Sequence, residues 1–294
     1  MKRVVLLLIH FLLFIFNDAI AQSDSVRVER LLEQGHKEAT APLHLWYAQQ
    51  LIGTPYVGQT LEVNETEQLV VNLRQLDCTT FVETAIALAL TQRQGSTKYA
   101  DYQQNLTRIR YRNGLLNGYP SRNHYFTQWI DSNERLGYIE EKEIPTGLSA
   151  PQTLDLHYMS QHPDRYPMLR NDADAQALIR QYEQECEGRV VHYVPHSKLN
   201  GSKTGNLSFI QDGDILAIVT KKDGLDTSHI GFAVWGRDSR LHLLNASQIH
   251  KKVVLESMTL YEYMSKHPSQ LGVRVIRIRS AQRDACVAKR SKKD

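Results

Sequence analysis

The chain has 294 residues, 41% hydrophobic and 23% charged, with a formal net charge of +3. This composition is ordinary for a soluble globular protein and leaves room for one large domain or two small ones. The net charge is too small to imply a nucleic-acid partner, and no internal repeat or low-complexity tract stands out.

Lys2 and Arg3 precede an apolar run, Val4–Phe16, and Ala19-Ile20-Ala21 offers a small-x-small cleavage site. The run falls short of the ~20 residues of a membrane span. Residues 1–21 are therefore predicted to be a signal peptide, with an uncleaved anchor as the alternative. Cleavage would leave a mature chain from Gln22, exported to the periplasm or secreted, with no integral membrane segment. In such an oxidising compartment three cysteines, Cys78, Cys186 and Cys286, leave at least one thiol free or paired between molecules. Whether Cys186 and Cys286 pair is not readable from the sequence.

Residues 22–42 form a polar N-terminal extension with a weak helical pattern. Leu43–Ile52 is predicted to be a short amphipathic helix, stopped by Gly53-Thr54-Pro55, and Tyr56–Glu62 an extended segment. From Asp77 to about Arg93 the chain is apolar on nearly every face, as in a buried helix. Segment 99–140 is aromatic and basic, with helical spacing over 125–136. Residues 145–210 are polar and proline-containing, and are predicted to be an insertion with a helix around 172–185.

After residue 211 short strands follow at Asp214–Lys221, His229–Trp235, Leu241–Ala246, Lys252–Leu255 and Gly272–Arg279. Turn residues separate most of them, and a helix at 258–267 interrupts the last two. Helices followed by an antiparallel sheet give an α+β fold over 43–280. Residues 281–294 form a basic C-terminal tail, read as a solvated end.

The chemistry concentrates at Cys78 and His229. Cys78 follows Asp77, a capping residue, and so stands in the first turn of the buried helix. Unpaired N–H groups and the positive end of the helix dipole favour a thiolate there. The alternative is a buried core cysteine. His229 opens a strand, and a base beside a thiol makes a cysteine hydrolase. If the hairpin turns symmetrically about Asp238, Gly231 faces Asn245, and His229 shares a sheet face with Asn245. Asn245 then orients the imidazole, unless it is merely a polar residue at a strand end. The backbone N–H of Cys78 and the Tyr56 hydroxyl are candidate oxyanion donors. His192 and His196 are four apart, but Pro195 between them opposes a regular helix. With no HExxH or CxxC motif, no metal and no cofactor are expected.

Gly53-Thr54-Pro55-Tyr56, Asp77-Cys78-Thr79 and His229-Ile230-Gly231-Phe232 resemble the NlpC-type papain-like cysteine peptidases of bacterial cell walls. A closer resemblance is to a bacterial family first catalogued as a domain of unknown function and associated with N-acetylmuramoyl-L-alanine amidase activity. It rests on Gly53–Val57, Leu76–Glu83, Tyr119-Pro120-Ser121-Arg122-Asn123-His124-Tyr125 and Asp212-Gly213-Asp214-Ile215.

The resemblance implies a papain-like fold and cleavage of the bond between N-acetylmuramic acid and L-alanine in peptidoglycan or muropeptides. Cys78 would be the nucleophile, His229 the base and then acid, and Tyr56 a helper beside the thiolate; the broader superfamily often has histidine as its third residue, where this chain has Asn245, a residue papain-like enzymes also use. It also gives Ser121, Arg122 and His124 a role in substrate contact, with Asp77 and Thr79 flanking the nucleophile; the alternative for the aromatic-basic residues is that they hold the insertion to the core. Arg122 would pair with a substrate carboxylate. Endopeptidases of the superfamily usually carry serine where this chain has Thr79. An endopeptidase cutting between D-Glu and the diamino acid is the first alternative, and a non-catalytic muropeptide-binding protein the second.

Overall fold

The apolar runs that follow residue 211 assemble into the centre of an antiparallel sheet, and the helices that precede them cover one of its faces. The computed structural model describes residues 24–40 and 42–279. The predicted signal peptide, Cys286 and the basic tail at 281–294 lie outside the described residues. Among the described residues no helix is long and apolar enough to cross a membrane.

Helix α1 covers residues 24–38. It is followed by α2 (Leu43–Gln50), α3 (Cys78–Arg93), α4 (Tyr99–Arg110) and α5 (Phe126–Arg135). Strands β1 (Ile139–Glu141) and β2 (Ala150–Thr153) then lead to α6 (Tyr158–Gln161), α7 (Ala173–Gln184) and β3 (Val190–Pro195). The rest is β4 (Ile215–Thr220), β5 (Thr227–Trp235), β6 (Leu241–Ser247), β7 (Lys252–Leu255), α8 (Leu260–Ser265) and β8 (Gln270–Ile278). The strand order is β2-β3-β8-β4-β5-β6-β7, and β1 also pairs with β8. Every pairing is antiparallel.

Alternation along β4 shows why both sheet faces are covered. Ile215 and Ala217 pack into the cluster that holds α1–α5, while Leu216 and Ile218 pack with Leu260, Tyr263 and Met264 of α8. A strand buried on both sides reads as a continuous apolar run rather than an alternating one, as Ile215–Val219 does. On α3, every residue from Thr80 to Thr91 is buried, which makes it the central helix of the larger cluster. It carries one buried charge, Glu83, paired with Arg110 of α4 at 2.7 Å.

Three expectations change. The insertion at 145–210 is not only helical: β2 and β3 pair with each other, and β3 joins β8 through Val194–Val273 and Pro195–Gly272. These partners are remote in sequence, so no hairpin turn announces them. Segment 99–140 also contains α4, whose buried face is Tyr102, Asn105, Leu106, Ile109 and Arg110. That spacing is helical, but its polar members hide it. Finally, Tyr56–Glu62 is extended only at its start: Pro55 and Tyr56 make single bridges to Lys252 and Leu76, and turns follow.

Candidate active site

Local sequence builds the start of α3. Asp77 is its N-cap: the carboxylate Oδ1 accepts from Thr80 N–H at 2.8 Å, and Thr80 Oγ1 accepts from Asp77 N–H at 2.9 Å. This reciprocal capping box fixes the first turn and sets Cys78 as its first residue. Asp77, expected at the substrate, thus has its carboxylate engaged by the helix.

The β5–β6 hairpin turns about Asp238, with Phe232 paired to Leu244 and Trp235 to Leu241. Extended by one step, that register sets Gly231 opposite Asn245. A Cβ on Gly231 would meet Leu244 O at 2.7 Å and Asn245 Cβ at 3.0 Å, so a glycine there lets β6 approach. His229 lies two residues further along the same strand face, and its Nε2 is 2.9 Å from Asn245 Oδ1. Strand β5 begins at Thr227, so His229 stands inside it rather than opening it.

The Asn245 amide is fixed from its other end. It is fully buried, and its Nδ2 donates to Glu256 Oε1 at 3.1 Å. With Nδ2 committed to a carboxylate, Oδ1 must accept from His229 Nε2–H, and Nδ1 of His229 is left as the free base. The second Glu256 oxygen takes His250 Nε2 at 3.1 Å.

Cys78 and His229 line the same cleft, of about 130 Å³, with Thr79, His124, Trp129 and Asp226. The Ile230 backbone N–H, one residue beyond His229, is hydrogen-bonded to the Cys78 sulfur, as is the Thr79 hydroxyl, 4.0 Å away. A second hollow of about 170 Å³ shares Ser228 and His229, so the histidine stands between two spaces. Among the described residues no group of three or more His, Cys, Asp or Glu side chains is arranged to hold a metal ion.

The electrostatics depart from the expected thiolate. Burial, then the Asp77 charge, pushes the Cys78 thiol up to about 12. A helix terminus contributes at most ~2 kcal/mol, or about one and a half pH units, and here burial wins. Burial also holds His229 below the ordinary histidine range, against its hydrogen bond to Asn245 and the Glu256 charge. At neutral pH the resting pair is a neutral thiol and a neutral imidazole. Burial, then the Cys78 and Asp77 charges, raises Tyr56 to about 12, so its hydroxyl stays a donor.

The aromatic-basic segment divides. His124 lines the cleft; its Nε2–H donates to Tyr119 O at 2.9 Å, and burial, then the Arg122 charge, pushes it down to about 3. Arg122 has its guanidinium taken by Glu62 at 2.8 Å and Glu67 at 2.7 Å, and it ties down the loop before α3. The Ser121 hydroxyl donates to Gly118 O and accepts from Asn117 N–H. Neither Ser121 nor Arg122 is among the residues lining the cleft. Sequence reasoning passed over two acidic residues here. Asp226 caps α5 from across the cleft, accepting from Thr127 N–H at 2.6 Å. Its only signal was its place three residues before His229. Glu256 follows the last residue of a short strand, and nothing local marked it.

Comparison with known proteins agrees with this architecture. The AmiA-like family, described as N-acetylmuramoyl-L-alanine amidase-like, matches residues 47–273. A crystal structure of an N-acetylmuramoyl-L-alanine amidase from Bacteroides uniformis is 36% identical with a TM-score of 0.75, covering 84% of this chain and 100% of that one. A Bacteroides fragilis protein described as a candidate xylanase is 40% identical with a TM-score of 0.72, covering 80% and 100%. A Legionella pneumophila protein shares the fold at 22% identity and a TM-score of 0.68, covering 90% and 97%. No curated protein matches the chain. By the extent of its family match and the identity of these neighbours, the chain belongs to the AmiA-like, N-acetylmuramoyl-L-alanine amidase-like family.

Proposed function

We propose that this protein is an exported cysteine amidase of the papain-like, NlpC-type kind. It hydrolyses the bond between N-acetylmuramic acid and L-alanine in peptidoglycan or muropeptides. The observation that carries the reading is a cleft lined by both Cys78 and His229, with the imidazole held by Asn245 at 2.9 Å. Membership of an amidase-like family supports the substrate class. The sequence of residues 1–21 supports export to the periplasm or beyond.

The resting thiol and imidazole are neutral, so proton transfer accompanies attack. His229 Nδ1 takes the Cys78 proton as sulfur bonds to the lactyl carbonyl carbon. The Cys78 backbone N–H serves the oxyanion; Tyr56 is not among the residues lining the cleft and acts as a helper through its electrostatic coupling to Cys78. Collapse breaks the C–N bond, and the imidazolium gives its proton to the L-alanine nitrogen. Water, deprotonated by His229, then hydrolyses the thioester, freeing the muramic carboxyl group and restoring the thiol. Thr79 and His124 are the substrate contacts this cleft offers. Ser121 and Arg122 instead hold its surrounding loops.

A glycoside hydrolase needs two carboxyl groups flanking the scissile bond. Asp226 is the one carboxylate among the described residues lining the cleft, and its Oδ2 is occupied by Thr127 N–H. This favours amide over glycosidic chemistry.

Defined muropeptides incubated with the purified protein are expected to yield an intact stem peptide beginning with L-alanine, read by mass spectrometry. A sugar still bearing L-Ala–D-Glu would instead identify an endopeptidase. Release of xylo-oligosaccharides from xylan, or binding without cleavage, would overturn the amidase assignment.

A further inference from the structure

Asn245 is an amide, and an amide holds a histidine in one orientation only if its own flip is prevented. Rotated by 180°, Asn245 would present Nδ2 to His229 and demand the opposite tautomer, with the proton on Nδ1 where the base must be vacant. The bond to His229 cannot by itself decide between the two. What decides is the group at the other end of the amide.

That group is Glu256, whose side chain is 1% exposed. Its Oε1 accepts from Asn245 Nδ2 at 3.1 Å, and an ionised carboxylate has no proton to offer a flipped Oδ1. Its own position is fixed on both sides: Glu256 N–H donates to Leu243 O at 2.9 Å, and His242 Nδ1 donates to Glu256 O at 3.1 Å. Oε2 is held by His250 Nε2 at 3.1 Å, so both oxygens are committed. We infer that Glu256 is a positioning residue that locks the Asn245 amide and, through it, the His229 tautomer required for general-base action on Cys78. A buried carboxylate reached through one amide also favours the imidazolium formed during attack.

The inference rests on the cysteine-hydrolase reading for its consequence but not for its geometry. The charged and titratable groups around His229 are Cys78 and Asp77 at the start of α3, Glu256, His124 and Asp226 in the cleft, and Lys222, Tyr263 and His267 in the second hollow. Around Glu256 stand His250 and Tyr263. Glu256→Gln keeps an acceptor for Asn245 Nδ2 and removes the charge. Glu256→Ala removes both.

The test is nitrogen-15 NMR of the histidine rings in wild type, Glu256→Gln and Glu256→Ala, with muropeptide hydrolysis measured on the same samples. Wild-type His229 is expected as the Nε2–H tautomer. In Glu256→Gln, whose amide can also donate to a flipped Asn245, His229 titrates lower by about half a unit or more, since a negative charge facing it is gone. The acid limb of kcat/KM moves down with it. In Glu256→Ala the tautomer preference is lost, and kcat falls about tenfold or more with KM within about twofold. An unchanged tautomer in Glu256→Ala, or an unshifted titration in Glu256→Gln, overturns the inference. If wild type cleaves no muropeptide, the amidase reading fails instead, and the NMR spectra alone decide the role of Glu256.

Discussion

Replacing Cys78 with alanine lowers kcat/KM on muropeptides by about 10⁴-fold or more, because Cys78 is the one thiol among the described residues lining the cleft. The melting temperature stays within a few degrees of wild type. The thiol makes only weak contacts, to Thr79 at 4.0 Å and to the Ile230 N–H, so its loss leaves α3 and its cap intact. His229→Ala costs a similar factor, and the double variant is no worse than either single one, since the two groups act as a unit.

The pH dependence follows from the same pair. With the thiol pushed up to about 12, iodoacetamide alkylates Cys78 slowly at pH 7, and the rate climbs through pH 9 and beyond. With His229 held low, the acid limb of kcat/KM lies below the ordinary histidine range of about 6.5. Fast labelling that is constant down to pH 5 would mean a preformed thiolate–imidazolium pair and contradict the neutral resting state.

The largest expected effect on stability comes from Glu83→Ala. Glu83 and Arg110 have side chains only 2% and 3% exposed, 2.7 Å apart, with Arg110 Nη1 also donating to Val70 O at 2.7 Å. Removing the carboxylate strands a guanidinium in the core, at a cost of about 3–5 kcal/mol, or roughly 10 °C in Tm for a domain of this size. Removing both charges behaves differently. Glu83→Leu combined with Arg110→Met recovers most of that loss, since a buried pair contributes little over an apolar one of similar volume. Thermal denaturation of the three proteins checks this. A double variant less stable than Glu83→Ala would show that the pair is a net stabilising element.

What could be read from the sequence was local. Asp77 and Thr80 are three residues apart, and together they place Cys78. The hairpin turn about Asp238 sets the register that brings Asn245 to His229. What could not be read depends on contacts between remote segments. Arg122 looked free to bind a substrate carboxylate because its partners, Glu62 and Glu67, lie about sixty residues upstream in a loop without regular structure. Strands β2 and β3 were hidden by the chain inserted between them. The acidity of Cys78 was misjudged for the same reason: the helix dipole is visible in sequence, whereas burial is a property of everything packed around the thiol.

The most direct test of the account is to trap its intermediate. Wild-type protein mixed with a defined muropeptide and acid-quenched within the first turnover should carry an added mass on the peptide containing Cys78. That mass should equal the muramoyl sugar joined through its lactyl carbonyl, and Cys78→Ala should carry none. An adduct that retains L-Ala–D-Glu, or product formed at the wild-type rate by Cys78→Ala, would contradict it.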